Sequence, residues 1–419
     1  MTAHIQTTSD LQDIESPYAW TRVGLSLLVM IFGGAGMYGM TVALPAIQAE
    51  FAVARSAASL PYTLSMIGFG IGGIVMGRLS DRFGLLVPLL IGAFGMGVGF
   101  IAAGAAGSLW QFALAQGLLI GFLGTCSTFA SVVADISQWF TRRRGIAVAI
   151  CISGNYVGGA IWPLLMQYFF DRAGWRPTFI GIGVFCLLSM PLLGLALRRR
   201  PPRLAASPDA AARTSAASPQ SLGLSSNALL ALLCVAGVGC CVAMAMPQVH
   251  IVAYCGDLGY AAARGAEMLA LMLGFGVVSR LASGWLSDRI GGLRTLLLGA
   301  TLQAAALALF LPFDGLFSLY LVSALFGLFQ GGLVPSYAII VREYFPAHEA
   351  GARVGTVLMA TLMGMALGGW LSGAIFDLTG SYHAAFLNGV AWNLLTMAIA
   401  YSLLRRARRG PPRLLPAAA

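Results

Sequence analysis

Gly77-Arg-Leu-Ser-Asp81-Arg82-Phe-Gly84 returns 207 residues later as Gly284-Trp-Leu-Ser-Asp288-Arg289-Ile-Gly291, and this doubling decides the architecture. The match continues at nearly the same offset. Trp139-Phe140 ahead of Gly145 corresponds to Tyr344-Phe345 ahead of Gly351, and Asp171 ahead of Gly174 corresponds to Asp377 ahead of Gly380. Self-similarity over such a length means two copies of one structural unit.

The unit is membrane-spanning. Of 419 residues, 58% are hydrophobic and only 10% are charged, which places the chain among polytopic membrane proteins. Counting apolar stretches of about 20 residues predicts twelve helices, near 20–44, 57–77, 85–107, 109–136, 145–169, 177–198, 227–253, 262–286, 294–312, 316–343, 351–377 and 383–405. Between the sixth and seventh lies a stretch opening with Arg198-Arg-Arg-Pro-Pro-Arg203, rich in Pro, Ala and Ser and without apolar periodicity. The expected organisation is an all-α integral membrane protein with an N-terminal six-helix half (1–197), a flexible cytoplasmic linker (198–226) and a C-terminal six-helix half (227–419). Six is an even number, so both copies share one orientation, related by a pseudo-twofold axis along the membrane normal with a cavity between them.

A formal charge of +10 would suggest nucleic acid in a soluble protein, but the loops explain it here. All 25 basic residues are arginine. On the predicted spans about 20 of them fall on one side and about four on the other, the bias of cytoplasmic loops, so both termini are expected in the cytoplasm. The bilayer is the expected partner, and nucleic acid is not. The apolar run from Val23 to Leu44 is too long for a signal-peptide core and reads as a retained first span. Seven cysteines lie mostly in apolar runs without metal-ligand spacing, so they read as small hydrophobes, and no metal or cofactor is expected. The glycines at 33–36, 68–73 and 92–99 lack a following Lys-Ser/Thr and suit close helix packing rather than phosphate binding. No hydrolase, metalloprotease or nucleotide-binding signature appears, which argues against an enzyme.

One charge stands inside a span. Arg280, in the apolar stretch Leu269 to Leu286, lies eight residues before Asp288 and so about 12 Å inward from the loop. A charge at that depth is opposed by roughly 2.5–3.5 kcal/mol, and a permanently charged fork of donors matches a carboxylate, so an anionic solute is the expected compensation. Snorkelling or an internal partner is the alternative. Tyr38, Gln116, Asn155 with its neighbour Tyr156, and Gln330 are polar groups predicted near mid-membrane, suited either to a substrate pocket or to bonding between helices. His250 and Asp257, toward the outer end of the seventh span, are candidates for carrying a proton, against a plain interfacial hydrogen-bonding role. Asp81 and Asp288 are expected to pair with nearby arginines or a helix N-terminus and hold the cytoplasmic side closed, weakly enough to break in each cycle.

The repeated Gly-x-Leu-Ser-Asp-Arg-x-Gly motif (Gly77, Asp81, Arg82, Gly84; Gly284, Asp288, Arg289, Gly291) resembles the major facilitator superfamily over essentially the whole chain. Three further stretches resemble bacterial relatives of monocarboxylate transporters and oxalate:formate antiporters. They are Gln138-Trp-Phe-Thr-Arg-Arg-Arg-Gly145, Asp171-Arg-Ala-Gly-Trp175-Arg176, and His250-Ile-Val-Ala-Tyr-Cys-Gly-Asp257 followed by Arg280. The resemblance implies carboxylate binding at Arg280. It also implies a second intramembrane lysine in oxalate-type antiporters and a first-helix lysine in animal monocarboxylate transporters. Neither exists here, since Thr356 to Trp370 is uncharged and the chain contains no lysine. The expected function is secondary transport of a small organic anion, a monocarboxylate with a proton, by alternating access across the cell inner membrane. An oxalate:formate type exchanger and an efflux carrier of another small molecule remain alternatives, and a monomer is compatible with each.

Overall fold

The computed structural model describes residues 14–141, 143–200 and 222–409. Within them twelve helices are long and apolar enough to cross a bilayer. These are α1 Pro17–Phe51, α2 Arg55–Phe83, α3 Leu86–Gly104, α4 Leu109–Trp139, α5 Arg144–Ala173 and α6 Trp175–Ala196 in the first half. In the second they are α7 Ser226–Asp257, α8 Ala262–Ile290, α9 Gly292–Leu309, α10 Leu316–Tyr344, α11 Glu349–Thr379 and α12 His383–Arg408. No strand occurs among the described residues. Most of the expected linker, residues 201–221, lies outside them. Successive helices alternate in direction, so odd-numbered helices begin on the face where α1 starts and α12 ends, the terminal face, and even-numbered helices begin on the far face.

Local sequence sets the helix ends the same way in both halves. α1 and α7 each open on a serine whose hydroxyl accepts a first-turn amide, Ser16 from Ala19 N–H and Ser225 from Ala228 N–H, both at 3.2 Å. α2 and α8 each close on the last glycine of the repeated motif, Gly84 at φ 82° and Gly291 at φ 83°. Their N–H groups reach the carbonyls of Ser80 and Ser287 at 2.8 and 2.9 Å. A side chain is strained at that φ, so these glycines are a backbone requirement.

Packing repeats as well. α1 lies on α5, α2 on α4 and α3 on α6; six helices later α7 lies on α11, α8 on α10 and α9 on α12. The correspondence reaches single atoms. A Cβ added at Gly158 of α5 would sit 2.5 Å from the Ile31 carbonyl oxygen of α1, and one at Gly364 of α11 would sit 2.5 Å from that of Val238 on α7. Small residues thus let backbones touch where lipid offers no hydrophobic drive for association. Between the halves α2 packs on α11 and α5 on α8. Leu188, Leu192, Phe94 and Phe317 stand exposed on the bundle's outside, at 60 to 82%, a surface suited to acyl chains rather than water. The protein is a multi-pass membrane protein.

Two helices are irregular at mid-height. α4 contains a π-helical stretch, Ala115–Thr125, and α10 is interrupted at Gly331 and Gly332 between Leu316–Gln330 and Leu333–Tyr344. Each frees backbone groups that something else must satisfy. In α4 the Ser65 hydroxyl of α2 donates to the Gln116 carbonyl at 3.1 Å.

Candidate functional site

The interruption of α10 faces Arg280. The half-buried guanidinium places Nε 3.5 Å from the Gly331 carbonyl and Nη1 3.5 Å from the Ile152 carbonyl of α5, both at the outer limit of a hydrogen bond. Its Cζ lies 4.2 Å from the centroid of the Tyr156 ring, a cation–π contact from the opposite half. Tyr156 reaches across because it lies against Gly276, where a side chain would collide with its ring. No carboxylate among the described residues pairs with Arg280.

A second arginine within a spanning helix, near its terminal-face end, shows what full compensation looks like. Arg22 of α1, 1% exposed, makes a bidentate pair with Asp135 of α4, Nε to Oδ2 at 2.7 Å and Nη2 to Oδ1 at 2.9 Å. It also donates to the Leu197 carbonyl at 2.9 Å and stacks over Trp139 at 4.8 Å. That charge is neutralised within the protein. Arg280 instead retains strong, directed donors that two long contacts leave largely unused.

Of the polar residues predicted for a pocket, the structure gathers Tyr38 and Asn155 beside Arg280's neighbour Tyr156. The Tyr38 hydroxyl donates to Asn155 Oδ1 at 3.2 Å, which leaves the Asn155 amide N–H groups available. Gln330 precedes the α10 interruption; its Oε1 accepts from Gln248 Nε2 at 3.1 Å, while its own buried Nε2 has no partner. Gln116 lies elsewhere, buried against Ser65 at the α2–α4 contact, its Nε2 likewise unpartnered. Its surroundings are those of a residue joining helices.

His250 and Asp257 are joined to each other but stand apart from Arg280. Asp257 closes α7 on the far face, whereas Arg280 is 18 residues into α8 from that face, about 27 Å of helix rise. Asp257 receives both Nη groups of Arg55, at 2.9 and 3.1 Å, and Arg55 Nη1 also donates to the Tyr382 hydroxyl at 2.7 Å. Burial pushes the Tyr382 phenol above its ordinary pKa, so the hydroxyl keeps its proton. It donates to His250 Nδ1 at 3.0 Å, and since a carbonyl only accepts, His250 Nε2 carries the hydrogen given to Gly369 at 2.8 Å.

The expected latch at the repeated motif is not formed in this conformation. Asp81 and Asp288 are exposed and make no ion pair with any described residue, while Arg82 and Arg289 lie over the rings of Phe83 and Trp285 at 5.2 and 3.9 Å. Contacts between the halves run from the far face to mid-height, ending near Arg280 with Ile152 and Gly70 with Met359. No hydrogen bond or ion pair between described residues joins the halves on the terminal side of that level. Thr356, one turn beyond Met359, is exposed. The hydrogen bonds and ion pairs that join the halves among the described residues therefore lie between the far face and Arg280.

Sequence reasoning missed Arg55 and the Arg22–Asp135 pair. Arg55 did carry a signal, being one of the few arginines on the arginine-poor side.

Comparison with known proteins gives a consistent picture. The family profile of the Major Facilitator Superfamily matches residues 26–314 and 257–419. Monocarboxylate transporter 13 of Bos taurus is 27% identical over 383 residues, covering 90% of this chain and 88% of that protein. The MFS-type transporter opdF of Penicillium oxalicum is 26% identical, covering 78% and 76%. Among solved structures, the peptide transporter POT in complex with sulfate superimposes with a TM-score of 0.74 at 14% identity, covering 97% of this chain and 98% of that one. A bacterial homolog of the human lysosomal transporter Spinster, crystallised in an inward-facing and occupied conformation, gives 0.69 at 13%, covering 94% and 97%. At such identities these likenesses concern the fold.

Proposed function

The chain belongs to the Major Facilitator Superfamily, a family of transporters rather than enzymes, and on that premise we propose that it carries a small organic anion, a monocarboxylate together with a proton, across the cell inner membrane by alternating access. The observation behind this reading is Arg280. It is a mid-membrane cation at the interface of the two halves, without a carboxylate partner among the described residues, beside an aromatic face and an available amide at Asn155. A bound carboxylate would supply the missing charge. One arginine neutralises one carboxylate, so a short 2-hydroxy or 2-oxo acid suits the site better than a dianion. The monocarboxylate transporters among the relatives support the same class.

Proposed contacts are Arg280 to the carboxylate, and Asn155, held by Tyr38, to a hydroxyl or oxo oxygen, with Gln330 offering its unpartnered Nε2 from α10. Gln116 is a weaker proposal because it faces α2. Of the two proton candidates His250 is preferred, since the Asp257 carboxylate is held by both nitrogens of Arg55. A second proton on His250 would turn Nδ1 from acceptor into donor and displace the Tyr382 hydroxyl proton it now receives. In this reading the arginine-rich terminal face is cytoplasmic, the linker 198–226 joins the halves there, and the exposed Asp81 and Asp288 find partners when that face closes.

The test is uptake of radiolabelled lactate, pyruvate, acetate, formate and oxalate into proteoliposomes, with and without an inward proton gradient, for the parent and Arg280→Ala. Gradient-driven monocarboxylate flux lost in the variant is the expected result. Flux only with anion preloaded inside would mean exchange. No carboxylate flux from a folded parent would remove the anion reading.

A further inference from the structure

The N-terminus of α2 is capped by the other half of the molecule. The preceding residue, Ala54, has no side-chain acceptor, and the first amides of a helix need one. Asp377, near the end of α11, supplies it. Its Oδ1 accepts from Arg55 N–H and its Oδ2 from Ser56 N–H, each at 2.8 Å, with the negative charge at the positive end of the helix. The Arg55 side chain continues into the same half, to Asp257 on α7, to Tyr382 before α12, and over the Phe376 ring of α11 at 4.5 Å. Close approach is possible because α11 presents Gly373 there, where an added Cβ would lie 3.0 Å from the Arg55 carbonyl and Ser56 Cα.

The pseudo-symmetric counterpart keeps the acids but, among the described residues, makes no hydrogen bond across the halves: Glu50 stands for Asp257 and pairs with Arg176 of its own half at 2.6 Å. At the α5–α8 contact Asp171 stands for Asp377, but Ala262 stands for Arg55 and Gln167 for Gly373. Gln167 Nε2 turns back onto Asp171 at 2.7 Å, within its own helix. Cavities lie beside both contacts, about 250 Å³ between Gln167, Asp171, Trp175 and Ala262 and about 370 Å³ beside Arg55 and Asp257, so it is the bonds and not the packing that distinguish the two.

We propose that Asp377, Arg55, Asp257 and Tyr382 form a one-sided latch that holds the far face shut while the terminal face is open, and that α2 and α11 part there when the carrier turns to face outward. The inference rests on the alternating-access reading. Its two carboxylates lie at a wet rim, Asp377 exposed and the Asp257 side chain 35% exposed, so water can replace the bonds they accept as these break. A latch of this kind biases which face is open without belonging to the substrate site.

The experiment uses two single substitutions as reporters in the full chain. Thr63→Cys sits in the α2–α11 contact on the far side, where Thr63 donates to the Ala366 carbonyl, and Thr356→Cys sits at an exposed position on the terminal side. Each is labelled with a membrane-impermeant maleimide from each side of oriented vesicles, above the background of the parent, with and without lactate. With Asp377→Asn, which keeps the side-chain volume, far-side labelling of Thr63→Cys is expected to rise about tenfold and terminal-side labelling of Thr356→Cys to fall. Gly373→Val, a wedge that leaves every charge in place, should do the same and covers the case in which the Asp377 variant fails to fold. Unchanged labelling in both variants, while lactate shifts labelling in the parent, would overturn the latch and leave alternating access standing. Labelling that no variant and no ligand moves would overturn both.

Discussion

The guanidinium carbon of Arg280 lies 4.2 Å from the centroid of the Tyr156 ring, a contact made by one half of the molecule on the central charge of the other. The ring supports the cation without neutralising it. Replacing Tyr156 by Phe keeps the face and should leave the apparent KM for a transported monocarboxylate within about twofold, whereas Tyr156→Ala should raise it about fivefold, the equivalent of roughly 1 kcal/mol. Uptake kinetics of the two variants check this. An equal effect of Phe and Ala would point to the hydroxyl instead.

Arg280→Lys keeps the charge and loses the fork. If the carboxylate is held by paired N–H groups, substrate affinity should fall about 10- to 100-fold. Titration of the purified protein with lactate measures it, and retention of parental affinity by lysine would show that a point charge suffices.

Arg22 and Asp135 form the fully compensated pair, and their contribution is expected in stability rather than transport. Asp135→Asn or Arg22→Leu alone strands a buried partner and should cost about 3–5 kcal/mol, while the double replacement Arg22→Leu with Asp135→Leu should cost less than either. Thermal unfolding in detergent reads this out. Additive losses would mean that the two side chains are not energetically coupled.

Gly158 and Gly364 should respond alike, because each lets two backbones meet at the same point of its half. Alanine at either position forces the helices apart at an expected cost of about 1–3 kcal/mol. A large loss at one site and none at the other would show that the pseudo-symmetry of packing does not extend to energetics.

His250→Gln retains a side chain able to donate and accept but removes the titrating ring. Proton-gradient stimulation of uptake should disappear while exchange of labelled for unlabelled anion persists. Stimulation that survives would move the proton to another group or to the substrate.

Much of the fold was legible because it is local and periodic. The twelve apolar runs needed only hydropathy and length, and the paired glycines at 84 and 291 close their helices at the positions where the repeated motif puts them. Arg280 was legible for the same reason, a charge being conspicuous in an apolar run. What surrounds it was only partly so. Asn155 and Gln116 looked equivalent as polar residues inside spans, yet one accepts from Tyr38 of α1 next to Tyr156 and the other faces α2, a distinction set by helix rotation rather than by composition. Arg55 and Asp377 are 322 positions apart and meet only through assembly of the two halves. Asp257, predicted from its place on α7, acquires an arginine partner by the same assembly, which no periodicity along the chain encodes.

The π-helical stretch of α4 has a mechanical meaning. A helix wound wider over Ala115–Thr125 holds one residue more than the regular spiral would over the same rise. Migration of that surplus residue along the helix would turn the part it passes by about 100°, one residue's worth of rotation, without lengthening the helix or unpairing more than a turn at a time. The Ser65 hydroxyl, bonded to the Gln116 carbonyl, satisfies one acceptor at the start of that stretch from outside the helix, so the wider winding there is held by a neighbour rather than by α4 alone.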